Sequence, residues 1–205
     1  MAKMYLLTSA LFLPAAAAAQ LVCAMGPGAS AYKAGSDQRP TADAMQLANR
    51  VNAAAKTVCA SHCPELALFR NSTAPNAMLL VDSSQAKVVY SPQFFASAYD
   101  SLGDAAILAV VAHELGHALD DTLGAAWIKT GWHPELRADA WGACLLARMD
   151  LSAHELNAGL TALATYPPPA APAWNSRLPV IRTGYTQCGG NGAAFDREAN
   201  AAKRK

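Results

Sequence analysis

The stretch AAILAVVAHELGHALDD, residues 105 to 121, constrains this chain more than any other. Its first eight residues are apolar all round, which reads as a helix buried on every side. That helix then carries His113, Glu114 and His117 into the interior. Residues four apart share a helix face, so the two histidines point the same way with Glu114 beside them. Two neutral imidazoles at that spacing can hold one zinc ion, with the glutamate next to the water that completes its coordination. A single buried histidine is usually a satisfied core residue. Two on one face of an apolar helix are costly to bury unless something pairs with them, and a metal ion is the simplest partner.

A catalytic zinc needs a third protein ligand and an open position. The run HPELRADAWGACLLARM, residues 133 to 149, begins with a proline suited to a first helical turn. On that helix Glu135, Ala138, Asp139, Gly142, Leu145, Leu146 and Met149 share a face. Acids near a helix N-terminus are favoured by the helix dipole. That alone does not explain why these acids lie on the face that continues into the core. Glu135 is therefore assigned as the third ligand. Asp139, one turn on, is placed to accept a hydrogen bond from a ligand histidine's second ring nitrogen. Gly116 and Gly142 each cost about 1 kcal/mol of helix stability, so they imply helices that approach each other or a sheet closely.

HELGH followed by E-x-x-x-D resembles the gluzincin metallopeptidases, and within them the CAAX prenyl protease and heat-shock membrane protease family in its small periplasmic form. The matching residues are His113, Glu114, His117, Glu135 and Asp139. APNAMLL and KVVYSPQFF upstream and ADAWGACLLAR downstream are similar to segments of that family, over about residues 64 to 165. The resemblance implies a zincin-like fold, one zinc per chain, Glu114 as catalytic base and peptide or unfolded protein as substrate. Two departures stand out. Only seventeen residues separate His117 from Glu135, and the family's later His-Pro…Arg element has only a partial counterpart in SRLPVIRTGY, where Arg182 stands for the arginine. The metzincin pattern fails, because Asp120 and Leu123 stand where it needs glycine and histidine.

The rest of the chain frames that site. Lys3, the apolar YLLTSALFLP and the small residues that follow read as a secretory signal over residues 1–19, cleaved after Ala19. The apolar run is shorter than the ~20 residues of a membrane span and is broken by Pro14. A net charge of +1 offers no field for nucleic acid or anionic lipid. In an oxidising compartment Cys59, Cys63, Cys144 and Cys188 read as two disulfides with three possible connectivities, and Cys23 is left over.

Residues 20–188 read as one α+β metallopeptidase domain. An irregular, glycine-rich lead-in to residue 40 precedes an alanine-rich helix over 41–60. Three short apolar runs, ELALFRN, NAMLLVD and KVVYS, read as a three-stranded sheet packed on the active helix. The glutamate helix lies behind it, and a further helix opens on the capping box Ser152–Glu155. Residues 166–174 read as a stiff spacer and 189–205 as a disordered tail. The strand after Asn76 is expected to offer an exposed edge for a peptide. Cys144 lies nine residues beyond Glu135, about half a turn around the helix, so it faces away from the metal. Cys188 is its expected partner, with Cys59 and Cys63 pairing locally. That bridge would bring Arg182 and Tyr185 toward the cleft as oxyanion donors. The competing functions are a chaperone-like binder of unfolded exported proteins and a disulfide-stabilised structural domain in which HExxH is fortuitous.

Overall fold

Alternating apolar residues build the sheet of this computed structural model, which describes residues 20–25, 31–59, 63–82 and 85–202. The signal segment, residues 1–19, lies outside the described residues. Strands β2 (Glu65–Arg70), β3 (Ala77–Asp82) and β4 (Gln85–Tyr90) fall on the three period-two runs. Leu66, Leu68, Ala77, Leu79, Ala86, Val88 and Tyr90 point into the main core. Met78, Leu80 and Val89 alternate to the other face, where Tyr32, Phe69 and Ala74 cover them.

The sheet has four strands, not three. Residues Gln20–Met25, expected as irregular lead-in, form β1, and the order is β1-β3-β4-β2. β3 pairs antiparallel with β4 and with β1, while β2 runs parallel to β4. The strand after Asn76 is therefore internal, with a neighbour on each side.

Among the described residues, seven α-helices complete the fold. α1 (Ala42–Cys59), α2 (Pro92–Leu102) and α3 (Asp104–Thr122) pack on the sheet side. α4 (Pro134–Arg148) lies against α3, and α5 (Ala153–Thr165) buries Leu156, Leu160 and Leu163 beside it. The capping box of Ser152 and Glu155 is formed as read. α6 (Trp174–Gln187) packs along α4 and carries Pro179 in its interior. The expected disordered tail is instead α7 (Gly192–Ala202). It docks through Phe195, Ala199 and Ala202, a helical stripe too sparse to stand out in a charged sequence. Among the described residues no helix is long and apolar enough to cross a membrane.

Small residues set the distances between helices. A Cβ on Gly116 would lie 2.4 Å from the Ala138 carbonyl oxygen, and one on Gly142 3.0 Å from Cα of His113. α3 and α4 thus meet backbone to backbone, as the two glycines implied. α6 is held as tightly, since a Cβ on Gly184 would lie 1.9 Å from the Ala140 oxygen. Disulfides join Cys144 to Cys188, tying α4 to the end of α6, and Cys59 to Cys63. Gly184→Ala forces α6 off α4, so its midpoint in urea should reveal a loss of at least 1–3 kcal/mol, the usual cost of overpacking.

Residues 31–40 cross the outer sheet face as a strap. Tyr32 Oη donates to Asp37 Oδ2 at 2.8 Å, Asn71 Nδ2 donates to Asp37 Oδ1 at 2.7 Å and to the Lys33 carbonyl at 2.9 Å, and Lys87 is ion-paired with Asp37. Gln38 and Arg70 exchange backbone hydrogen bonds at the end of β2. Burial alone would raise the Asp37 pKa. The hydrogen bonds from Asn71, Lys87 and Tyr32 outweigh it and hold the carboxyl below its ordinary value. A depressed folded-state pKa contributes stability above the unfolded value of about 3.9, lost as pH falls through the folded one. Asp37→Ala should thus cost roughly 1.5–3 kcal/mol at pH 7. Its gap from wild type should close on acidification, as denaturant titrations at stepped pH would show.

Candidate metal centre

α3 brings His113, Glu114 and His117 to its contact with α4, and α4 supplies Glu135 from its first turn. Exposure is 1% for His113, 0% for Glu114, 5% for His117 and 7% for Glu135, so these ionisable groups sit almost wholly out of water. The two imidazole rings stand edge to face, 5.1 Å between centroids. Glu135 Oε2 lies 3.1 Å from Nε2 of His113 and 3.5 Å from Nε2 of His117. The three ligand atoms all lie within 4.8 Å of one another.

This set fits a metal ion. Ligand atoms about 2.0–2.2 Å from a tetrahedral zinc are roughly 3.3–3.5 Å apart, and the two glutamate gaps straddle that value. His117 Nε2 is buried and makes no hydrogen bond among the described residues. His113 gives a second reason. Its Nδ1 lies 3.0 Å from Asp139 Oδ1 and its Nε2 faces Glu135. An ionised Asp139 accepts from Nδ1–H, which leaves Nε2 as a lone pair pointing at a carboxylate oxygen. Two acceptors at that separation repel unless a cation, a proton or a metal ion, lies between them. Asp139 Oδ1 is thus placed against the second ring nitrogen of His113.

Asp139 is ionised for a reason that lay outside the motif. The guanidinium of Arg177, itself buried, donates through Nε to Asp139 Oδ2 at 2.7 Å and through Nη2 to Oδ1 at 2.8 Å. Its Nη1 donates to the Leu163 carbonyl of α5 at 2.8 Å. Burial would raise the Asp139 pKa, but Arg177 and then His113 hold it below the ordinary carboxylate range. Glu135 follows the same pattern. Burial opposes its charge, and the two imidazoles that face it, first His113 and then His117, prevail, holding it far below the usual range.

Arg177, not Arg182, is the arginine of α6 that reaches the site. Arg182 is exposed and forks onto Asp196 of α7 at 2.7 and 2.9 Å. Tyr185 stacks obliquely on Phe195, 5.4 Å between ring centroids, and burial and then the Asp150 charge raise its pKa. Helical phase would have found Arg177. It is eleven residues before Cys188, about three turns, and so shares the face that the disulfide turns to α4. Arg182 is five residues from Arg177 and about 140° away.

The other two described histidines lie outside the ligand cluster. His133 is the N-cap of α4, and its Nδ1 accepts from the Glu135 backbone N–H at 3.2 Å. His154 is exposed in the first turn of α5. Glu135→Ala should abolish stoichiometric metal binding, whereas His133→Ala and His154→Ala should retain it. Metal content of the three purified variants tests this, and loss of metal from His154→Ala would overturn the ligand assignment. Comparison with family models, with curated proteins and with solved structures returns no match to the chain.

Proposed function

We propose that the chain is an exported zinc metallopeptidase of the gluzincin type, with His113, His117 and Glu135 as ligands and Glu114 as general acid and base. The observation that carries this reading is the convergence of Nε2, Nε2 and Oε2 in a water-poor site whose spacing suits a tetrahedral ion. The HExxH–E-x-x-x-D pattern adds the reaction class, a zincin-like relationship and peptide or unfolded-protein substrates. Two disulfides accord with export, together with the signal-like first nineteen residues.

Zinc, when bound, supplies Lewis acidity toward the scissile carbonyl and toward water. Glu114 takes a proton from the attacking water and delivers it to the leaving nitrogen, so water adds across the C–N bond with its hydroxyl on carbon. Asp139 and Arg177 fix the orientation and tautomer of His113. Hydrolysis of an unfolded protein by the zinc-loaded chain, abolished by chelation and restored by zinc alone, tests the reading.

The burial of Glu114 favours a second reading, a structural metal site beneath a closed surface. Stoichiometric zinc whose removal unfolds the protein, with no hydrolysis of any peptide, would establish that reading and overturn the first.

A further inference from the structure

The sheet edge beside the metal-bearing helix is already taken. β1, β3 and β4 all pack on α3, whereas β2, at the other end of the sheet, packs on α1. β3 would present its outer edge next to α3, but Gln20–Met25 lies along it from Gln20↔Val81 to Met25↔Ala77. The occupant is QLVCAM, extended and without a charged residue. Those are the properties of a segment in an unfolded protein. Main-chain pairing of this kind is how an added peptide strand binds a sheet.

Two further features distinguish β1 from the other strands. Its ladder with β3 is interrupted, since the register shifts between Leu21 and Cys23. β2 and β4, by contrast, pair without interruption from Glu65↔Gln85 to Arg70↔Tyr90. The strap that follows is anchored independently, through Asp37 with Tyr32, Asn71 and Lys87 and through the Gln38–Arg70 bridge. The anchorage of the strap therefore does not depend on the pairing of β1 with β3, and a strand joined to the same chain competes for the edge at a high effective concentration.

We infer that Gln20–Met25 is an intramolecular occupant of a peptide-binding edge on β3, competing there with extended, uncharged, apolar peptide segments. Its effect on hydrolysis rests on the peptidase reading; the competition itself does not. An incoming segment takes over the main-chain hydrogen bonds that β1 gives up, so no covalent step is involved.

Binding and turnover are read separately. The probe is a fluorescent hexapeptide, QLVSAM, added to zinc-loaded full-length chain in the Glu114→Gln background. The releasing variant is Ala24→Pro/Met25→Pro. Adjacent residues of an antiparallel strand alternate in ladder bonding, so one of the two prolines removes a donor to β3. It should bind the probe at least about tenfold more tightly than the parent, the order of effect a short tether imposes. The locking variant is Cys23→Ser/Ala24→Cys/Met78→Cys, which joins residues that are paired in register. It should lose probe binding while keeping zinc, and it decides the matter if the releasing variant fails to fold. Equal probe affinity in the locked chain and the parent would overturn the inference. With Glu114 restored, the releasing variant should show a lower KM at similar kcat, and the unlabelled hexapeptide should inhibit it competitively. If no form hydrolyses peptide while probe binding follows the lock, the peptidase reading fails and the occupied edge stands.

Discussion

Glu114→Gln is expected to keep zinc and fold while losing about 10²–10⁴-fold in kcat, the size typical of a lost proton-transfer group. The amide is nearly isosteric with the carboxylate, so the fully buried position is still filled. It cannot take a proton from water. Glu114 is not among the three groups whose ligand atoms converge, so metal stoichiometry should be unchanged. kcat and kcat/KM should fall together if the group acts only in the transition state. Near-wild-type turnover in this variant would sink the hydrolytic mechanism, whatever its metal content.

The second large effect is expected at Arg177. Arg177→Ala removes a guanidinium that is 1% exposed and leaves Asp139, 0% exposed, charged and without its bidentate partner. Breaking a buried pair from one side typically costs about 3–5 kcal/mol. The loss should appear as a lowered denaturation midpoint in the metal-free protein, before any effect on zinc is considered. Asp139 also orients His113, so zinc affinity should fall by about 10–100-fold in the same variant. Arg177→Lys should rescue little, because a single ammonium cannot reproduce the fork onto two carboxylate oxygens. The paired change Asp139→Asn/Arg177→Met should recover much of the stability but not the zinc affinity. A structural pair with no influence on the metal would lose stability alone, which separates the two roles.

Features that depend on neighbours along one helix were legible before any coordinates. His113 and His117 lie four apart and must share a face of α3. Glu135 and Asp139 follow the same rule on α4, and Cys144, half a turn away, must turn to another partner. The capping box at Ser152 is likewise local, set by a side chain and a backbone group three residues apart. Even the backbone contact of α3 with α4 was foreshadowed, because Gly116 and Gly142 have no purpose in an isolated helix.

What the sequence left undecided depends on contacts between segments far apart. QLVCAM has the composition of a strand, but a strand exists only where a partner edge accepts it, and β3 lies more than fifty residues on. α7 is alanine-rich and glycine-led, with one large apolar side chain, and is held by Phe195, Ala199 and Ala202 against elements it could not foretell. Arg177 and Arg182 are equivalent as letters. They lie about 140° apart on α6, and the seating of that helix between α4 and α7 turns one onto Asp139 and the other onto Asp196. Helical phase within a segment is a property of the chain. Which face then meets which neighbour is decided by the packing of the whole molecule, where burial and pairing are shared among distant residues.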